Sequence, residues 1–109
     1  MDWYEVRDLA LALPEVEEST SWGYPSLKVR GKWFAGMSSH KEAAGALVLR
    51  CDPDERPLML AAQPDLFYVT PHYEGADGYV LVRLEAATLG ELRERLEDAR
   101  ELATTRRRR

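Results

Sequence analysis

Residues 22–37 read WGYPSLKVRGKWFAGM. Polar and apolar side chains alternate through 26–30 (SLKVR), and a second run follows a glycine at 32–38 (KWFAGMS). Successive side chains of a strand point to opposite faces. This stretch therefore commits the chain to a hairpin with one buried face, and a slip of one residue would expose that face. Gly31-Lys32 is the expected two-residue turn, since glycine at the first central position suits type II′. That turn pairs Arg30 with Trp33 and Val29 with Phe34. Leu27, Val29 and Phe34 then face a core, and Lys28, Arg30 and Trp33 face away.

The hairpin needs a partner layer, and the two ends of the chain supply it. Trp3, Val6, Leu9, Ala10 and Leu13 recur at helical spacing over 2–13, with Asp2 and Glu5 placed as a capping box and Pro14 as the stop. Thr88 and Glu91 repeat the box before Leu89, Leu92, Leu96, Ala99 and Leu102. Between them, 19–22 (STSW) reads as an edge strand guarded by acids, 38–45 as a loop, and 45–51 (GALVLRC) as a strand. A helix is expected from Asp52 as cap and Pro53 to about Gln63, tolerating Pro57 only in its first turn. Residues 67–70 and 79–85 are strands joined by a turn-rich loop, 71–78 (PHYEGADG). The expected architecture is one α+β domain over residues 1–105: an antiparallel sheet with the first and last helices on one face.

The length of 109 residues suits one core. The formal charge is −4, and without the four arginines 106–109 it is −4 − 4 = −8. A dedicated nucleic-acid binder is usually basic throughout, so a polyanion site here is a local patch. The terminal arginines read either as a nucleic-acid-binding arm or as a disordered helix end. One cysteine, Cys51, permits no internal disulfide, and no basic leader or long apolar span is seen. A cytoplasmic protein is expected, neither secreted nor membrane-spanning, as a monomer or weak homodimer.

The face away from the helices collects Lys28, Arg30, Arg50 and Arg83 beside Trp33 and Tyr79, with Val48 and Leu81 among them; Lys32 joins them at the hairpin tip. Basic groups neutralise phosphates, and aromatic faces stack on bases. The same pattern also describes a solvated sheet face with lysine and arginine stems lying on it. The two histidines, His40 and His72, and Cys51 lack metal-ligand spacing, so neither a metal nor a cofactor is expected. There is no phosphate-binding glycine loop and no nucleophile elbow. His72, in TPHYEG, is the best single candidate for chemistry, but no base partner or nucleophile accompanies it, so no enzyme activity is expected. Cys51 reads as a mildly activated thiol beside Arg50 or as a buried small hydrophobe.

The ordered set ALPEVEE, WGYPSLKVRGKWFAGM, LRCDP, VTPHY and YVLVRLE with ELRERLEDA resembles the MmcQ/YjbR family of small bacterial proteins across nearly the whole chain. Trp22, Gly23, Pro25, Lys28, Gly31, Lys32, Phe34, Asp52, Pro53, His72 and Tyr73 match its pattern. Gly78 and Tyr79 depart from it, because many relatives have tryptophan in that segment. The resemblance implies a fold similar to CyaY and frataxin, and DNA binding through a double-wing arrangement of strands and loops. Three readings follow. The first is a DNA-binding module using Lys28, Arg30, Lys32, Trp33, Arg50 and Arg83. The second is a small-ligand or partner-binding domain with a pocket near Trp22, His72, Tyr73 and Tyr79. The third is iron handling by analogy with frataxin, drawing on Glu15, Glu17 and Glu18.

Overall fold

The two capping boxes form as the sequence predicts and set the start of each long helix. Asp2 Oδ1 accepts the Glu5 N–H and Glu5 Oε1 accepts the Asp2 N–H, opening α1, Trp3–Leu11. Thr88 and Glu91 exchange the same bonds ahead of α4, Leu89–Thr104. The Thr88 backbone N–H, the Gln63 amide and the Thr88 hydroxyl together hold the Glu91 carboxyl below its ordinary range. The computed structural model describes residues 1–105; the arginine tail 106–109 lies outside them.

Among the described residues six strands form one antiparallel sheet: β1 Val16–Ser21, β2 Tyr24–Val29, β3 Lys32–Met37, β4 Leu47–Arg50, β5 Phe67–Tyr68 and β6 Tyr79–Val82. Their spatial order is β1-β2-β3-β4-β6-β5. α4 lies across β2, β3 and β4, and α1 packs between α4 and β1. The core fills this helix side with Val6, Ala10, Leu27, Val29, Phe34, Leu47, Leu49, Val80, Val82, Leu92, Leu96 and Ala99. Leu89, expected in the α4 stripe, is exposed, and Ala103 is buried at the far end. The fold class is therefore α+β with the terminal helices on one face. Among the described residues no helix is long and apolar enough to cross a membrane.

The hairpin differs from expectation in its turn. Val29 pairs with Lys32 and Lys28 with Trp33, so the loop is Arg30-Gly31, with φ 52 and 78. Two positive φ values mark type I′, whose twist matches that of the strands. The register moves by two residues, an even number, so Lys28 and Trp33 still share the outer face. Lys32 does not: it lies opposite buried Val29, on the helix side. A bulge then intervenes, because Leu27 pairs with Ala35 while Lys28 pairs with Trp33. Phe34 is the extra residue, and both Phe34 and Ala35 enter the core. Trp22-Gly23 forms a second loop of the same kind between β1 and β2, at φ 55 and 80. A bulky residue in this left-handed region costs roughly 1–2 kcal/mol.

Two further expectations are corrected. Asp52 caps only a turn, accepting the Asp54 N–H at 2.8 Å, and α2 begins later, at Arg56–Ala62, with Pro57 harmlessly in its first turn. Residues 71–74, expected as loop, form a one-turn helix, α3, Pro71–Glu74, whose first residue is a proline that needs no N–H partner. α3 and a 3-10 turn at Lys41–Ala43 pack on the outer face over Val48 and Leu81, which are buried there with Ala43 and Ala46. That face is thus half covered, and its remaining opening lies over β2 and β3.

Gly36 sits under this opening. A Cβ there would meet Ser26 Cβ at 3.0 Å, the Pro25 carbonyl oxygen at 3.1 Å and Trp33 Cζ2 at 3.1 Å. Gly36→Ala should therefore lower unfolding free energy by about 1–3 kcal/mol through overpacking, read from the urea midpoint. Gly75→Ala, at φ −79 with open space around it, should stay within about 0.5 kcal/mol of wild type.

Candidate functional site

The opening is a cavity of about 410 Å³. β2 supplies Lys28, β3 supplies Trp33 and Met37, β4 and β6 supply Val48 and Tyr79, and the chain leaving β3 supplies Ser39 and His40. The β1–β2 turn adds Ser21 and Trp22, the β2–β3 turn Gly31, and α3 His72 and Tyr73. The Trp33 indole lies along the sheet over Gly36 and meets the Tyr79 ring edge-on at 5.5 Å between centroids. Such pairs favour edge-to-face contact.

His40 and His72 stack with centroids 3.6 Å apart and planes at 25°. They stand 32 positions apart in the chain, and only the fold brings them together. Tyr73 lies edge-on to His72 at 4.8 Å, and its hydroxyl lies 3.5 Å from Ser38 Oγ. Ser38 Oγ also accepts the His40 N–H at 3.0 Å, fixing the loop that carries that imidazole.

One guanidinium holds α3 in place. Arg56 Nη1 donates to the carbonyls of Tyr73, Ala76 and Tyr79 at 2.9–3.0 Å, and Nη2 donates to that of Glu74 at 2.9 Å. A one-turn helix leaves most of its carbonyls without intrahelical partners, and arginine's fixed fork of donors meets several at once. Sequence reading missed Arg56, His40 and Ser38, because none has a spacing signal.

All four proposed pocket residues, Trp22, His72, Tyr73 and Tyr79, meet in this cavity. Of the six proposed polyanion residues, Lys28 and Trp33 line it. Arg30 instead reaches Glu15, Nε to Oε1 2.8 Å, an exposed ion pair of small energetic worth. Glu15 also receives Arg100 at 3.8 Å. Arg50 Nη1 donates to the Trp33 carbonyl at 3.3 Å, behind the indole. Arg83 stacks on the Tyr68 ring at 4.0 Å, at the β5 edge. Glu17 is paired in register with Lys28 on β1. The expected basic platform is therefore divided among separate contacts. Among the described residues no group of three or more His, Cys, Asp and Glu gathers at one point. Burial pushes the Cys51 thiol up to about 11, so it is a core residue rather than an activated nucleophile.

A family model described as YjbR matches residues 11–102. The crystal structure of Deinococcus radiodurans protein DR2400, which carries the domain DUF419, superposes with a TM-score of 0.77 at 20% identity. The match covers 94% of this chain and 78% of that one; at this identity it concerns the fold. The comparison with curated proteins gives no match.

The Arg56 fork yields a direct expectation. Arg56→Lys keeps the charge but loses the planar set of donors, leaving at least one of the four carbonyls without a charged donor. Stability should fall by about 1.5–3 kcal/mol, the worth of one charge-assisted bond. Amide exchange should accelerate most in residues 71–79. Uniform acceleration across the sheet would contradict a local role.

Proposed function

The chain belongs to the YjbR family, and we propose that it is a binding domain for a small organic anion held in the cavity between Trp22, Trp33 and α3. The composition of the lining carries this reading. Among the twelve described residues that line it, Lys28 is the one lysine, arginine or carboxylate, and Trp22, Trp33, His40, His72, Tyr73 and Tyr79 supply rings. The volume lies within the usual range for small-molecule sites, which are mostly apolar with a few placed polar groups. Lys28 gives the lining a positive end, although Glu17 lies across from it on β1, and apolar walls strengthen its pull on a negative partner. The hydroxyls of Ser39 and Tyr73 and the two imidazoles add hydrogen-bonding groups.

The domain holds its ligand rather than transforming it. Among the described residues neither imidazole hydrogen-bonds a carboxylate, whereas nucleophilic and general-base catalysis use a base oriented by such a partner. A bacterial cytoplasmic setting belongs to the same reading; the single buried thiol Cys51 suits a reducing compartment.

DNA binding is a second reading. It is favoured by Lys28 and Arg50, which share the outer face with Trp33 and Tyr79 in the strand register. The Arg30–Glu15 pair and the cross-strand neighbour Glu17 weaken it.

Thermal shift separates the two. An anion at ten times its Kd stabilises by about 1.4 kcal/mol, which raises Tm by about 5–10 °C in a domain of this size. Lys28→Glu should remove that shift. Duplex DNA should leave Tm unchanged at about 50 mM salt. The opposite result, no shift with any organic anion but DNA affinity falling steeply between about 50 and 200 mM salt, would replace the pocket reading with the DNA reading.

A further inference from the structure

Trp22 is the residue whose placement the fold does not explain. It occupies the first central position of a type I′ turn, at φ 55, where asparagine or aspartate is favoured and a bulky side chain is strained. Its indole is 90% exposed. It packs into neither of the two hydrophobic clusters. The left-handed backbone is a cost that an indole left in water does not offset by packing, and such strain gathers at binding sites.

The register fixes where this ring stands. Ser26 pairs with Gly36, so the β1–β2 turn lies at the end of the sheet where β3 runs out towards Ser38. There it shares the cavity rim with His40 and His72. Lys28 lies towards the other end, beside Trp33 and Gly31. Tyr24, next to the turn, and Lys28 are four residues apart on β2, about 13 Å. A ligand that touches both Trp22 and Lys28 must therefore be elongated, with its two recognised parts at opposite ends.

We propose that the ligand is a planar aromatic ring tethered to one acidic group, with the ring stacked on Trp22 beside the imidazole pair and the acid at Lys28. The proposal rests on the reading of the cavity as an anion site and names the class of anion. An aliphatic anion leaves the indole in water. A flat ring buries it, and stacking on an aromatic face tolerates many ring types. Nucleoside monophosphates carry both parts.

The test compares adenosine 5′-monophosphate with ribose 5-phosphate by calorimetry on wild type, Trp22→Asn and Trp22→Phe. The nucleotide should bind wild type at least about tenfold more tightly than the sugar phosphate. It should also quench tryptophan emission, which the sugar phosphate should not. Trp22→Asn installs a favoured turn residue, so its Tm should hold or rise while nucleotide affinity falls about tenfold and sugar-phosphate affinity stays unchanged. Trp22→Phe should keep affinity within about threefold. Equal affinity for the two probes in wild type, or unchanged nucleotide affinity in Trp22→Asn, overturns the ring assignment and leaves the anion site standing. Binding of neither probe overturns the assignment to a ring-bearing phosphate, and the anion site falls with it if no other organic anion raises Tm.

Discussion

Four carbonyl oxygens converge on the Arg56 guanidinium, and the outer side of the sheet depends on that convergence. α3 is a single turn, too short to satisfy its own carbonyls. Arg56, at the start of α2, takes up those of Tyr73, Glu74, Ala76 and Tyr79. It thereby locks the segment from α3 to the start of β6 as one piece. His72 and Tyr73 reach the cavity from that piece, and Tyr79 reaches it from the strand behind. The sheet alone would present a flat face; the held segment gives that face a wall.

The floor of the cavity is set by one missing side chain. Gly36 leaves the room in which the Trp33 indole lies over β3, edge-on to Tyr79. The bulge at Phe34 makes this compatible with a full core, because two consecutive residues, Phe34 and Ala35, turn inward while Trp33 stays out. Core packing and site geometry are therefore coupled through four consecutive residues of one strand, Trp33 to Gly36.

Period-two alternation carried the sheet, because it reports burial directly. The inward set of Leu27, Val29 and Phe34 is read from the sequence and found in the core, beside Leu47, Leu49, Val80 and Val82 of the two strands expected over 45–51 and 79–85. The capping boxes were equally legible, since their partners lie three residues apart. The turn at Arg30-Gly31 was misplaced by one position because glycine suits either central site, and only strand twist selects between them. The assembled basic face was not legible. Arg30 is drawn off by Glu15 and Arg83 by Tyr68, both pairings that depend on the fold rather than on spacing. The pocket set of Trp22, His72, Tyr73 and Tyr79 does assemble, yet His40 and Arg56, which complete and support it, left no mark in the sequence.

The central claim is that the ligand enters over β2 and β3, between Trp22 and Lys28. The three tryptophans make this directly visible. Trp22 and Trp33 line the cavity, whereas Trp3 packs against the helix-side core. In a nitrogen–proton correlation spectrum, titration with adenosine 5′-monophosphate should move the indole N–H signals of Trp22 and Trp33 and leave that of Trp3 in place. Movement of Trp3 with the other two still would contradict the account.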